Sequence, residues 1–230
     1  MDDKIERIIG PADRASEIRA VAVSTINGSA SVNGTSGALG NDTDTEVFLA
    51  ARQWADVIVV GAGTARAEDY GPVQPGTDRQ QQLRAQRGQA ELPTLALVTR
   101  SMKLSEKLLS EPYPVILAPD DAEGTVPDAI EVIRTGTGTP TEIIAALRSR
   151  GFGRIDIEGG PGLWGAFARE GLIDVLQLTV DPTIAVPVEK PLIDAHEHAP
   201  ALRFDLEHIE RDDDSTLFLR YRRTGTPNEA

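Results

Sequence analysis

The 230-residue sequence contains no cysteine, which excludes a disulfide framework and every thiolate-bound metal site. Histidine is scarce, and His196, His198 and His208 leave little from which to build an imidazole site. The His-x-Glu and Cys-x-x-Cys signature of zinc nucleobase deaminases therefore cannot be present. Aromatic residues make up only 4% of the chain, and 36 acidic residues against 23 basic ones give a formal charge of −13. A nucleic-acid module needs exposed aromatics beside a basic groove, so this balance argues against one and leaves any phosphate-bearing ligand to be held locally. No apolar run approaches the roughly 18 residues of a membrane span, and the start, Met1-Asp2-Asp3-Lys4, lacks the basic head of a signal peptide. The expectation is a cytoplasmic protein that binds neither membranes nor nucleic acid.

What remains is an ordinary globular composition, 40% apolar and 26% charged, enough for a sizeable core. Arg19 to Ile26 reads as a strand that stops at the turn dipeptide Asn27-Gly28. Asp42-Thr43-Asp44 offers cap oxygens to a helix whose Val47, Phe48, Ala51 and Trp54 recur at helical spacing. Val57 to Val60 is a buried-strand run that feeds a second helix through Gly61-Ala62-Gly63-Thr64. Residues 77–91 are rich in Gln and Arg with hardly any apolar residue, and read as a surface insertion within a single domain spanning 1–230. Strands are predicted at Thr94 to Val98, Val115 to Ala118, Ile130 to Ile133, Ile155 to Glu158 and Leu172 to Val180, with helices from Thr141 to Arg150 and from Leu163 to Ala168. Arg203 to Glu210 and Ser215 to Tyr221 flank an Asp212-Asp213-Asp214 turn and read as an antiparallel hairpin. The order predicts an α/β fold: a mostly parallel sheet, helices on both faces, and an antiparallel C-terminal hairpin.

Two glycine turns stand where strands open into helices. Gly159-Gly160 removes side chains where an anion could approach unfilled helix N–H groups, or simply makes a tight turn. Gly61, Gly63 and Thr64 form the second such turn, and two in one sheet can hold both ends of a dinucleotide. Arg66 could neutralise a phosphate or pair with Glu68 or Asp69; Thr99, Arg100 and Ser101 could bind a 2′-phosphate. Glu158, ending an apolar strand at a cleft, is a candidate for proton transfer if burial raises its pKa, or else caps backbone or pairs with an arginine. Asp42 and Asp44 read as helix caps. A metal site at His196 and His198, beside Asp194 and Glu197, is disfavoured, and none is expected.

Thr25-Ile26-Asn27-Gly28, Ser36-Gly37-Ala38-Leu39, Ala55 to Thr64 and Glu158-Gly159-Gly160-Pro161, in this order and spacing, resemble the reductase domain of the riboflavin-biosynthesis deaminase/reductase family. The resemblance extends through Gly171 to Val180. It implies a dihydrofolate reductase-like fold, a homodimer, and NADPH-dependent reduction of a pyrimidine intermediate's ribosyl group to ribityl, here as a free-standing reductase. It places Gly61, Gly63, Thr64, Gly159 and Gly160 at the NADPH phosphates and Thr99, Arg100 and Ser101 near the adenosine. Thr25, Asn27, Ser36, Leu39 and Glu158 fall around the nicotinamide and substrate, with Glu158 and Asn27 as the catalytic candidates.

Two departures bear on the substrate. Asn27 stands where the family commonly has Asp, so Glu158 or water must handle any proton. Asp69-Tyr70-Gly71-Pro72-Val73-Gln74-Pro75 lacks the family's phosphate-binding arginine, for which Arg79, Arg84 or Arg87 could compensate. A dihydropterin or dihydrofolate is the alternative substrate, and a non-catalytic nucleotide binder the alternative class.

Overall fold

The computed structural model describes residues 3–225 except 195–198 and 200. Its centre is a nine-stranded sheet in the order β5-β4-β3-β2-β6-β1-β7-β9-β8. Seven strands are parallel: β1 (Glu17–Thr25), β2 (Val57–Gly61), β3 (Thr94–Val98), β4 (Val115–Ala118), β5 (Val132–Arg134), β6 (Arg154–Gly159) and β7 (Val175–Asp181). The hairpin of β8 (Arg203–Arg211) and β9 (Leu217–Gly225) adds an antiparallel edge to β7. The helices are α1 (Asp3–Ile9), α2 (Asp42–Trp54), α3 (Ala62–Ala67), α4 (Asp78–Gln86), α5 (Pro140–Arg148) and α6 (Pro161–Arg169).

Strand alternation sorts side chains between two helical layers. On β6, Ile155 and Ile157 face α5 and α6 and pack with Val57, Val59, Ile143, Leu147, Trp164 and Phe167. Arg154, Asp156 and Glu158 take the opposite face. There α1 and α2 set Ile5, Ile8, Val47, Ala51 and Trp54 against Val21 and Phe218, while Ile58, Val60, Leu95, Leu97 and Ile116 pack beneath Ala65 of α3. Fully burying each such aliphatic side chain contributes about 1.5–3 kcal/mol, so strands covered on both sides can be short and still hold.

Several boundaries differ from the sequence reading. The cap of α2 is Asn41, whose Oδ1 accepts from the Asp44 N–H at 3.0 Å; Asp42 and Asp44 lie inside the first turn, where negative charge suits the helix dipole. The fifth strand begins at Val132, and Ile130 is buried in the turn before it. Leu172 lies between α6 and β7, which starts at Val175. Helix α1 escaped prediction because seven residues carry too little periodic signal, and tertiary contacts hold it: Arg220 donates to the Ile8 carbonyl at 2.7 Å.

Residues 77–91 contain α4, opened by a Thr77 capping box. Most of the segment is exposed, yet Arg84 is 1% exposed and donates to the carbonyls of Gln53 (2.9 Å), Ala55 (2.6 Å) and Ala90 (2.8 Å). A segment with few apolar residues is thus docked by polar side chains, Arg84 and also Gln89, which donates to the Trp54 carbonyl (3.0 Å) and to Asp56 (2.6 Å). In the hairpin, pairing slips between Leu206 and His208, and this bulge keeps Leu206 and Ile209 on one face, opposite Tyr221 and Leu219. Asp212 and Asp214 of the hairpin turn both accept from Asn41 Nδ2, at 2.9 Å each.

Candidate active site at the carboxyl edge of the sheet

Because β1 to β7 run parallel, their carboxyl ends meet along one edge, and the sequence-predicted turns converge there. Helices α3 and α6 leave β2 and β6 directly from Gly61 and Gly160, and neither helix start has a side-chain cap. Helices α2, α4 and α5 are capped by Asn41, Thr77 and Thr139. The nine-residue α6 therefore presents first-turn N–H groups that its own N-cap residue does not fill. Strands β2 and β6 are neighbours, so the two glycine turns touch: a Cβ on Gly160 would overlap the Thr64 hydroxyl, and Gly159 sits at φ +103°. The Gly159–Gly160 peptide is cis.

Beyond β2 lies β3, followed by Thr99, Arg100 and Ser101. Arg100 is exposed, donating to the Thr137 carbonyl at 3.2 Å and standing 3.9 Å from Asp121. The Ser101 N–H donates to Thr99 Oγ1 at 3.3 Å. Arg66 is exposed on α3, and its two sequence-nearest carboxylates are engaged elsewhere. Glu68 accepts from the N–H and hydroxyl of Ser36, both at 3.2 Å, and Asp69 pairs with Lys107 at 2.6 Å.

On the other side of the glycine turns, Glu158 meets Arg52 of α2. Arg52 Nε donates to Glu158 Oε1 at 2.6 Å and Nη2 to Oε2 at 2.7 Å, and the Tyr70 hydroxyl donates to Oε2 at 2.9 Å. The guanidinium lies 4.3 Å from the Phe48 ring centroid and 4.9 Å from that of Tyr70. The Glu158 side chain is wholly buried, whereas that of Arg52 keeps 16% of its surface exposed. Of the readings open to Glu158, the structure shows an arginine-paired carboxylate. Burial and the Glu158 charge push the Tyr70 phenol well above its ordinary pKa, while Arg52 is held more firmly protonated by Glu158 despite its own burial. Asp156, two residues before Glu158, is completely buried with neither oxygen partnered, and its pKa is driven well up by burial and then by Glu158.

The remaining predicted residues form the rim. Thr25 Oγ1 donates to Asn27 Oδ1 at 2.7 Å and accepts the Ser29 N–H at 2.9 Å. Asn27 Nδ2 donates to the Ala185 carbonyl at 2.7 Å while Oδ1 accepts the Ala185 N–H at 3.1 Å. Both ends of the amide are thus spent joining the loop after β1 to the loop after β7, a bond pair a carboxylate could not complete. Leu39 is buried, and the neighbouring Gly40 N–H donates to Asp181 at 3.1 Å.

Of the three arginines proposed as phosphate ligands, two are engaged elsewhere and the third lies in another groove. Arg79 stands 3.5 Å from Glu6, Arg84 holds backbone carbonyls, and Arg87 lines a groove of about 760 Å³ between α1, α2 and α4. None of the predicted site residues lines that groove. His196 and His198 lie outside the described residues, and among those described no group of three His, Asp or Glu could hold a metal. No described helix is long and apolar enough to cross a membrane. The sequence reading missed Arg52, Tyr70 and Asp156. The available signal was Arg52 falling one helical turn after Phe48, on the strip that begins at Asp44.

A parallel sheet with adjoining glycine turns and an antiparallel terminal hairpin defines a dihydrofolate reductase-like protein. The family model for the RibD C-terminal domain matches residues 17–218, and the chain belongs to that family. A pyrimidine reductase-like protein from Corynebacterium diphtheriae is 33% identical, with 96% of this chain and 98% of that one aligned at a TM-score of 0.87. RibD of Acinetobacter baumannii shares the fold at 18% identity and TM-score 0.72, covering 91% of this chain and 58% of its own. The riboflavin biosynthesis reductase of Saccharomyces cerevisiae does so at 11% identity and TM-score 0.64, covering 96% and 98%. Comparison with curated proteins finds no match.

Proposed function

We propose that the chain is an NADPH-dependent pyrimidine reductase that transfers hydride to the ribosyl carbon of a 5-amino-6-ribosylaminouracil-type substrate. The observation that carries this reading is the contact between two side-chain-free turns on adjacent strands, with the uncapped α6 start beside the Arg52–Glu158 pair. NADPH fits there: Gly61, Gly63, Thr64, Gly159 and Gly160 would hold its pyrophosphate, with Thr99, Arg100 and Ser101 at the adenosine. The strand order supports this, since β3 and β1 stand three strand spacings apart, roughly 15 Å, which suits an extended dinucleotide. When bound, the cofactor supplies hydride. The protein's part is to hold the reacting carbon against it and to keep the edge closed around Thr25, Leu39 and the Asn27 clamp. Asn27 has no proton to give and Glu158 is sealed beneath three donors, so the proton comes from water at the open edge.

Titration with NADPH and NADH is the first test, and NADPH preference that falls about tenfold on Arg100→Gln would support a 2′-phosphate contact. NADPH oxidation with the phosphorylated pyrimidine, its dephosphorylated form and dihydrofolate then separates the substrates. The absence of Arg79, Arg84 and Arg87 from the edge favours giving the last two equal weight. NADPH binding without oxidation of any would point to a nucleotide-binding homologue. A homodimer is proposed through the outer face of the hairpin, where Leu206 and Ile209 are exposed beside Tyr221 and Leu219. Light scattering should give a dimer for the protein and a monomer for the Leu206→Lys, Ile209→Lys double variant.

A further inference from the structure

The groove between α1, α2 and α4 opens at the amino ends of the strands, the far end of the sheet from the glycine turns, and none of the candidate site residues lines it. At about 760 Å³ it has the size of a small-molecule site. Ile9, Ala50, Trp54 and Leu83 supply an apolar wall. Two of the lining residues, Trp54 and Gln53, are more than nine-tenths buried, and each keeps a polar atom without a hydrogen-bond partner among the described residues: the Nε1 donor of Trp54 and the Oε1 acceptor of Gln53. Well-packed helices leave few such atoms, and a few polar groups converging on an apolar groove are what a ligand site provides.

The charges around the groove decide what it would take. Most are already matched: Arg7 stands 3.5 Å from Glu210, Arg220 3.2 Å from Glu207, and Glu6 3.5 Å from Arg79. The guanidinium of Arg87 has no hydrogen bond or ion pair among the described residues. Asp56, a carboxylate near it, accepts instead from Gln89 (2.6 Å) and from the N–H groups of Gly153 (2.9 Å) and Arg154 (2.8 Å). Burial and then the neighbouring Arg154 charge work against the charge on Arg87, so an incoming anion would relieve both. One planar fork matches one carboxylate, and Asp3 and Glu6, which also line the groove, oppose the second charge of a phosphate. We propose that this groove is a second ligand site, which takes a small monocarboxylic acid with an apolar body, its carboxylate on Arg87 and its body against Trp54. The site lies apart from the candidate active site and does not rest on the reductase reading.

The test uses the full chain and three probes: benzoate, benzamide as the same body without the charge, and inorganic phosphate. Trp54 and Trp164 are the two tryptophans of the chain, and Trp164 is held in the opposite helical layer, where its Nε1 donates to the Ile157 carbonyl at 3.1 Å. Their indole N–H cross-peaks in the NMR spectrum, assigned by the loss of one in Trp54→Phe, therefore report separately. Benzoate should move the Trp54 peak and leave that of Trp164; benzamide should need about ten times the concentration, and phosphate should move neither. Arg87→Met should lower benzoate affinity about tenfold, to that of benzamide, with the benzamide response unchanged, and Arg87→Lys should fall between because lysine keeps the charge without the fork. Near-ultraviolet circular dichroism recognises a variant that fails to fold, and Arg87→Lys then carries the comparison. Saturating NADPH should leave the benzoate titration unaltered. A Trp54 peak that benzoate does not move, equal affinity for benzamide or phosphate, benzoate binding unchanged in Arg87→Met, or competition between benzoate and NADPH would each overturn the proposal.

Discussion

Arginines at the two ends of the parallel sheet do different work, and helix polarity explains why. Near the amino ends of the strands, helices α1 and α2 terminate and expose carbonyls. Arg19 serves Ile9 and Pro11, Arg84 serves Gln53, Ala55 and Ala90, and Arg154 serves Ala12. At the carboxyl ends, helices begin and present N–H donors, and the calls on cations come from loops instead: Arg100 donates to the Thr137 carbonyl and Arg134 to those of Pro119 and Ala122. Arg52 pairs with one buried carboxylate, and Arg66 and Arg100 stand exposed. The amino edge buries those arginines against helix ends, and the carboxyl edge keeps Arg66 and Arg100 at the surface.

Substitutions at each end should separate these roles. The largest effect is expected from Arg84→Met, which strands the buried carbonyls of Gln53 and Ala55 and should cost about 3 kcal/mol of stability, measured by urea denaturation, with NADPH affinity of the folded fraction unchanged. Gly160→Ala should do the reverse: a methyl group meeting Thr64 in the glycine cradle should weaken NADPH binding by at least about tenfold, roughly 1.4 kcal/mol. A smaller change, about 1 kcal/mol, is expected from Asn27→Asp, which removes the donor to Ala185; faster amide exchange confined to the loop after β7 would locate it, and unchanged exchange would refute the clamp.

The smallest effect concerns α5, a helix start at the carboxyl edge that is plugged by its own side chains. Glu142 accepts from the N–H and hydroxyl groups of both Thr137 and Thr139, and these bonds hold its pKa at about 2. A depressed carboxyl pKa stabilises the folded state above the unfolded value of 4.5, and that contribution disappears as pH falls toward 2. Glu142→Gln should flatten the stability profile between those values and leave it parallel to the original at neutral pH. An unaltered acid limb would show that the cap is made in solution by other groups.

Legibility differed by region in the same physical terms. Strands β3 and β4 match the predicted Thr94 to Val98 and Val115 to Ala118 residue for residue, because a strand buried on both faces must be a continuous apolar run between polar breaks. Gly159 and Gly160 were visible for a related reason: a positive φ and a close approach to Thr64 both exclude side chains, and glycine is the one residue that records such a requirement in its identity. Helix α4 was legible as a segment, whereas its attachment was not, since one arginine and one glutamine among several carry it.

The candidate site divides along the same line. Local chemistry in the sequence determined the parallel architecture, the two glycine turns and the family they signal. Only the tertiary structure decided that β6 inserts between β2 and β1, setting Glu158 beside Arg52 across 106 residues, with Tyr70 from a third segment. It likewise decided that Asn27 is spent on Ala185, 158 residues away. Apolar periodicity and turn residues report what each segment does to its own backbone, whereas the partner of a charged side chain is set by which strands become neighbours in the sheet.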